Sequence, residues 1–216
     1  MAKPGYLKYG EREVRHLSTV CPELGRVIDR LGFLERPVEP DLFTALASSI
    51  VSQQITGKVA ETIWGRLVKA VELKLAAEPS KSVEPGKSAV SPEIFSLLST
   101  EELRACGLSQ RKAEYITGIA SAAVEGTLDF ESLRSLDDAD FIRELVKLRG
   151  VGEWTAEMML IFSLERPDVL SWGDFAIKNG IKKLFGLETL SRMQFEEIRE
   201  TFSPYNTVAS LYLWEL

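Results

Sequence analysis

The segment from 148 to 156 carries the residues best suited to binding a phosphate. It reads Leu-Arg-Gly-Val-Gly-Glu-Trp-Thr-Ala, so a valine lies between Gly150 and Gly152 where one amphipathic pattern ends and the next begins. Glycines at such a junction permit a tight hairpin, and the first amides of the second helix then point outward as an anion site. The pattern therefore predicts a hairpin whose backbone binds a phosphate.

A lone carboxylate follows this hairpin. Asp174 lies 22 residues after Gly152, in the sequence Ser-Trp-Gly-Asp-Phe. A fixed carboxylate can stabilise the positive charge that develops at an anomeric carbon when a glycosidic bond breaks. A phosphate-binding hairpin with this carboxylate suggests chemistry on a nucleic acid. Asp174 can equally be the N-cap of a helix predicted for 174–185, and the two roles are compatible.

The composition excludes several other kinds of site. The chain has 216 residues, enough for one large domain or two small ones, with two cysteines and one histidine. Cys21 and Cys106 cannot form a four-cysteine iron–sulfur cluster or a zinc finger built on paired cysteines, and we expect both to be buried. His16 has no flanking motif, so we expect it to pack or lie on the surface rather than to catalyse.

Charge and hydropathy bear on whether the protein binds nucleic acid or enters a membrane. The net charge is −6, which by itself argues mildly against nucleic acid, but the distribution matters more than the sum. Acidic residues crowd the segments 125–144 and 188–200, whereas Lys178, Lys182 and Lys183 closely follow Asp174; solvated helix faces remain the alternative reading. The chain shows neither a secretory leader nor an apolar run of 18 residues, so we expect an intracellular protein that does not enter membranes.

Apolar residues recur at helical spacing almost everywhere, and the pattern predicts an all-α protein. Capping residues predict helix starts at Ser99, Ser109 and Asp137. The predicted helices are 9–18, 21–31, 40–52, 56–76, 92–98, 100–106, 110–125, 130–135, 138–147, 153–164, 174–185, 193–202 and 205–215.

Two further segments stand out. Residues 78–92 are rich in proline and serine and predict a flexible surface loop. Residues 107–114 align with 150–157, which indicates a degenerate second copy of the hairpin. This copy can pack as structure, which we favour, or it can offer its helix N-terminus and Lys112 to a nucleic-acid backbone.

Four ordered elements together resemble a known family. Ser52-Gln53-Gln54-Ile55, then Gly107-Leu108-Ser109 with Lys112, then the hairpin, then Asp174 before Phe-x-Ile-Lys are similar to the helix-hairpin-helix (HhH-GPD) DNA glycosylases, specifically the 3-methyladenine branch. The resemblance runs from about Asp41 to the C-terminus. It implies a two-domain helical bundle with the active-site cleft between the domains. Residues 36–168 would form the central domain, and 1–35 with 169–216 the second.

The resemblance implies roles for individual residues. Asp174 matches the catalytic aspartate, while Trp154, Trp214 and Met158 match positions that line the base pocket. Flat aromatic faces suit a cationic alkylated purine that has been flipped out of the helix, although core packing is the alternative for either tryptophan. Met158 stands where relatives often place another aromatic residue, so the pocket differs in shape.

Other positions match the family's DNA contacts. Gln54 matches the wedge that fills the gap left by the flipped nucleotide, where many relatives have an apolar residue; a helix cap or surface glutamine is the alternative. The predicted contacts to the DNA backbone are Gly150, Val151, Gly152, Thr155 and Lys178. Backbone carbonyls of Val146, Leu148 and Val151 can hold a Na⁺ or K⁺ ion, and we expect no other cofactor.

The identity of residue 154 predicts the reaction class. Relatives that also cut the strand use a lysine here to form a Schiff base with the sugar, whereas this chain has Trp154. We therefore expect a monofunctional glycosylase that removes alkylated purines from double-stranded DNA, acts as a monomer, and is cytoplasmic or nuclear according to the cell type. The alternatives are a glycosylase of the same fold for other damaged or mismatched bases, and a non-catalytic DNA-binding module.

Overall fold

The computed structural model describes residues 5–77 and 90–216. Thirteen helices lie within these residues, with one antiparallel sheet of two very short strands, so the all-α prediction is confirmed. Most of the loop predicted for 78–92 lies outside the described residues.

The elements follow one another in the order in which the helical periodicity predicts them, with boundaries that differ by one or two residues at most ends. They are β1 (Gly5–Tyr6), α1 (Glu11–Val20), α2 (Pro22–Leu31), β2 (Pro37–Val38), α3 (Leu42–Ser52), α4 (Gly57–Ala77), α5 (Pro92–Phe95), α6 (Thr100–Ala105), α7 (Gln110–Val124), α8 (Phe130–Arg134), α9 (Asp138–Leu145), α10 (Glu153–Phe162), α11 (Phe175–Phe185), α12 (Arg192–Phe202) and α13 (Asn206–Leu213).

The predicted helix starts are confirmed by their caps. Ser99 accepts the amide of Glu102, whose own carboxylate accepts the Ser99 amide, so α6 begins with a capping box. Ser109 caps α7, and Asp137 caps α9 by accepting the Asp140 amide at 2.8 Å. Each cap satisfies amides that the first helical turn leaves without an acceptor.

Residue contacts divide the chain into two units, with junctions that differ from the predicted ones. Unit 1 comprises Met1–Pro40 and Glu157–Leu216, and unit 2 comprises Asp41–Ala156, whereas the sequence predicts junctions near 36 and 168. Residues 157–162 of α10 belong to unit 1, where Phe162 stacks on Trp214 with ring centroids 5.7 Å apart. Residues 37–38 stay in unit 1 as well, because β2 pairs with β1.

Unit 1 is organised around α13, every residue of which is buried. Helix α11 crosses it closely at Gly180, where an added Cβ would lie 2.2 Å from the carbonyl oxygen of Leu213. Cys21 is buried, as predicted, and burial raises the pKa of its thiol. His16 has a packing role: its Nε2 lies 3.1 Å from the Ser203 carbonyl oxygen.

Unit 2 is built on α3. Its core includes Phe43, which is 2% exposed and meets Phe95 edge to face at a centroid distance of 5.3 Å. Helix α3 packs on α4 and on α7, and α7 packs on α5 and α6. Cys106 is buried in this unit, as the sequence predicts. The core holds the end of α3, which precedes the predicted wedge residue Gln54, beside the start of α7.

Candidate active site

The hairpin between α9 and α10 has the predicted tight turn. The Val151 amide donates to the Leu148 carbonyl at 3.1 Å, and Gly150 has φ +89°, a conformation that side chains disfavour. An added Cβ at Gly150 would also lie 2.1 Å from the ring of Tyr115. Glycine is therefore required at 150 by both the backbone conformation and the close approach of Tyr115.

Gly152 differs from Gly150. Its φ lies outside the left-handed range, and an added Cβ would meet no atom of the chain within 4 Å. The backbone conformation at 152 therefore does not require glycine, because the turn is already closed at Gly150. What glycine provides at 152 is open space immediately before α10, where a ligand can approach the backbone.

The side chains around the hairpin differ in their exposure to solvent. Val151 and Thr155 are 7% and 4% exposed, so their side chains are not available for the predicted phosphate contact, and the Val151 amide already donates to the Leu148 carbonyl. Trp154 is 44% exposed, which is unusual for so large an apolar residue. Val151 and Thr155 thus pack the hairpin against the rest of unit 2, whereas the Trp154 indole is exposed to solvent.

The predicted wedge lies directly after α3. Gln54 is exposed and has φ +58°, which few residues other than glycine adopt. Its neighbour Gln53 ends the helix and donates from Nε2 to the Gly150 carbonyl at 2.9 Å. The wedge loop and the hairpin are therefore joined by a hydrogen bond within unit 2.

The second copy of the hairpin has the structural role favoured above. Gly107 has φ +113°, which reproduces the positive φ of Gly150 and supports the internal repeat. Lys112 donates from Nζ to the carbonyls of Val51 and Gln53 at 2.8 and 2.6 Å. Its ammonium therefore binds the end of α3.

Asp174 is held by three hydrogen bonds within unit 1. Oδ1 accepts the amides of Ala176 and Ile177 at 2.8 and 3.0 Å, so Asp174 is the N-cap of α11 as predicted. Oδ2 accepts the indole N–H of Trp214 at 3.2 Å. The residue is only 7% exposed. A carboxylate fixed by three donors has one defined orientation, which suits it to stabilise charge at a single point.

Trp214 contacts Asp174 through its N–H and Phe162 through its ring. The Phe162 and Trp214 rings are 24° from parallel, so one face of the indole is already stacked within the protein. A base could stack only on the other face. Phe162 was not among the residues singled out from the sequence, because only the long-range contact reveals it.

Two side chains beside Asp174 were also missed. Ser171 is fully buried three residues earlier, and its hydroxyl donates to the carboxylate of Glu157 on α10. Trp172 lies under the Lys178 ammonium, which is 5.0 Å from its ring centroid. Lys178, a predicted contact to the DNA backbone, lies on the first turn of α11, which Asp174 caps. Met158 is half-buried on α10.

The carbonyls named for a monovalent cation belong to residues directly after α9. Neutral carbonyl oxygens are ligands that Na⁺ and K⁺ accept, so the donor set suits such an ion. The Leu148 carbonyl accepts the Val151 amide, which restrains two of the three residues.

Within residues 5–77 and 90–216, no cluster of three histidine, cysteine or acidic side chains is arranged to hold a metal ion. No helix in these two ranges has the length and apolar character needed to cross a membrane.

Comparison with known proteins identifies the family. The profile of the HhH-GPD superfamily of base excision DNA repair proteins matches residues 47–204. DNA-3-methyladenine glycosylase 1 of Schizosaccharomyces pombe is 32% identical over 205 residues, covering 93% of this chain and 84% of that protein.

Solved structures agree with the sequence comparison. A DNA-3-methyladenine glycosidase from Bacillus halodurans superposes with a TM-score of 0.79 at 34% identity, covering 98% of this chain and 91% of the other. A 3-methyladenine DNA glycosylase of Schizosaccharomyces pombe in complex with abasic DNA gives 0.74 at 30% identity, covering 94% and 95%. The chain belongs to the HhH-GPD superfamily of base excision DNA repair proteins, in the branch of the 3-methyladenine DNA glycosylases.

Proposed function

We propose that this protein is a monofunctional DNA glycosylase that excises cationic alkylated purines, such as 3-methyladenine, from double-stranded DNA in base excision repair. The observation that carries the proposal is the buried Asp174 carboxylate, bound by two amides of α11 and by the Trp214 indole. The relatives named as 3-methyladenine glycosylases support the substrate class. The protein would act on DNA in the cytoplasm of a prokaryote or the nucleus of a eukaryote.

The chemistry needs little beyond a positioned carboxylate. When the bond between C1′ and the base nitrogen breaks, its electron pair leaves with the base, and a cationic purine departs as a neutral molecule. The sugar becomes oxocarbenium-like, and Asp174 stabilises that charge and orients the attacking water. The water adds its hydroxyl to C1′ and releases a proton. Because the leaving base is already positively charged, no dedicated general acid is required.

We assign the recognition of the base to Trp154, Met158 and the face of Trp214 that does not stack on Phe162. A cationic purine is attracted to an electron-rich indole face by stacking and cation–π interaction. Trp154 suits this role because it keeps 44% of its surface exposed. Met158 is flexible and polarisable, so it can adapt to purines of different shape.

We assign the contacts to the DNA backbone to the hairpin of unit 2 and to one lysine of unit 1. Amides of the hairpin at the start of α10, from Gly152 to Thr155, bind a phosphate, and Lys178 neutralises another. Gln54 fills the gap left by the flipped nucleotide. The carbonyls of Val146, Leu148 and Val151 would hold a Na⁺ or K⁺ ion, which would add positive charge to the hairpin.

The methionine at position 158 also favours a second candidate function, the excision of other damaged bases. Methionine in place of an aromatic side chain changes the pocket wall, so the same chemistry can extend to other damaged bases. A non-catalytic DNA-binding module is disfavoured, because such a module needs the hairpin but not a buried carboxylate held by three donors.

Incubation with methylated DNA tests the proposal. DNA treated with dimethyl sulfate is incubated with the protein, and the released bases are separated by chromatography. We expect 3-methyladenine in the soluble fraction, strand breaks only after alkali, and little covalent complex with borohydride, because Trp154 replaces the Schiff-base lysine. Release of other modified bases alone would favour the second candidate, and efficient borohydride trapping would contradict monofunctional chemistry.

A further inference from the structure

The C-terminus of α3 is bound by a cation from another helix. Lys112, on the first turn of α7, donates from Nζ to the carbonyls of Val51 and Gln53 at 2.8 and 2.6 Å. These carbonyls belong to the last turn of α3, where helical carbonyls lack amide partners and the helix dipole is negative. Burial lowers the pKa of the Lys112 ammonium, and two carbonyl acceptors offset that desolvation.

The residue that ends α3 is also bonded to the hairpin. Gln53 donates from Nε2 to the carbonyl of Gly150, the residue whose positive φ closes the hairpin turn. Gln53 is therefore an acceptor for Lys112 through its carbonyl and a donor to Gly150 through its side chain. One residue links the end of α3, the start of α7 and the phosphate-binding hairpin.

The residue that follows Gln53 is the proposed wedge. Gln54 adopts φ +58°, which is unfavourable for a residue with a side chain and persists only where surrounding contacts enforce it. The hydrogen bonds of Lys112 and Gln53 fix the backbone immediately before Gln54. These bonds can orient the exposed Gln54 side chain although that side chain takes no part in them.

We infer that Lys112 and Gln53 are positioning residues that lock the Gln54 wedge to the phosphate-binding hairpin, so that DNA binding and base-pair disruption occur as one step. This inference rests on the proposed function. Because the wedge acts by replacing a nucleotide in a stacked and paired duplex, its positioning matters for duplex DNA and not for a single strand, whose bases are already unpaired.

A comparison of duplex and single-stranded substrates tests the inference. An oligonucleotide methylated with dimethyl sulfate is used either alone or annealed after methylation, so that the lesions are identical. Base release is measured for the wild type, Lys112→Met, Lys112→Arg and Gln53→Met. Lys69→Met, which removes an exposed lysine of α4, is the control for the lost charge.

We expect the ratio of duplex to single-strand excision to fall roughly ten- to a hundred-fold in Lys112→Met and Gln53→Met, because strain at one backbone position is of that order. Lys112→Arg should restore much of the ratio, and Lys69→Met should match the wild type. A merely destabilised fold would lower both activities together and leave the ratio unchanged, which would overturn the inference. Failure of the wild type to release bases from either substrate would instead refute the proposed function.

Discussion

Trp214 donates its indole N–H to Oδ2 of Asp174 at 3.2 Å, while Oδ1 of the same carboxylate accepts two amides at the start of α11. The indole is held in turn by stacking on Phe162. The carboxylate is thus oriented before any DNA binds. Preorganisation of this kind is how a fixed charge becomes effective in a transition state.

Trp214→Phe removes the donor and keeps an aromatic ring. A hydrogen bond to a charged group contributes about 1.5–3 kcal/mol, so we expect kcat for base release to fall by roughly ten- to a hundred-fold with little change in KM. Trp64→Phe, on α4, is the control for loss of an indole. An unchanged kcat would show that the hydrogen bond from Trp214 does not orient the carboxylate for catalysis.

Gly180→Ala tests the helix crossing that brings Trp214 to Asp174. The new Cβ would lie 2.2 Å from the Leu213 carbonyl oxygen, so α13 must shift away from α11. We expect the free energy of unfolding to fall by about 1–3 kcal/mol, as in other overpacked cores, with a loss of excision as Trp214 moves. Gly65→Ala, on α4 and free of such contacts, should stabilise the protein slightly. Denaturant unfolding of both variants checks this.

The two hairpin glycines should separate stability from DNA binding. Gly150→Ala meets the Tyr115 ring and an unfavourable φ, so we expect a lower melting temperature. An added Cβ at Gly152 meets no atom of the chain within 4 Å, so for Gly152→Val we expect a folded protein with weaker binding to damaged and undamaged duplexes alike. Melting curves and fluorescence anisotropy distinguish the two. If folded Gly152→Val bound DNA as tightly as the wild type, the assignment of phosphate binding to the hairpin amides would be wrong.

Local signals made most of the fold predictable. The caps at Ser99, Ser109 and Asp137 act within three residues, so their sequence is sufficient to place the helix starts. The β1–β2 pair was missed because strands of two residues cannot show an alternating pattern. The junctions between the units differ from those the sequence predicts, and no local signal marks the second one because α10 continues through it without a break.

Contacts between distant residues were not predictable. Asp174 could be found by its place after the hairpin, but its bond to Trp214 joins residues 40 positions apart. The bond from Gln53 to Gly150 spans 97 positions and the one from Lys112 to Gln53 spans 59. No periodicity or cap encodes such pairs, because they depend on how whole helices pack.

Asp174→Asn tests the central claim most directly. Asparagine can still cap α11, so the fold and the binding of damaged DNA should persist, while the charge that stabilises the sugar is lost. We expect excision from methylated duplex DNA, measured as released base under single-turnover conditions, to fall by roughly two to four orders of magnitude. Near-normal excision by a folded, DNA-binding variant would contradict the assignment of Asp174 as the catalytic residue.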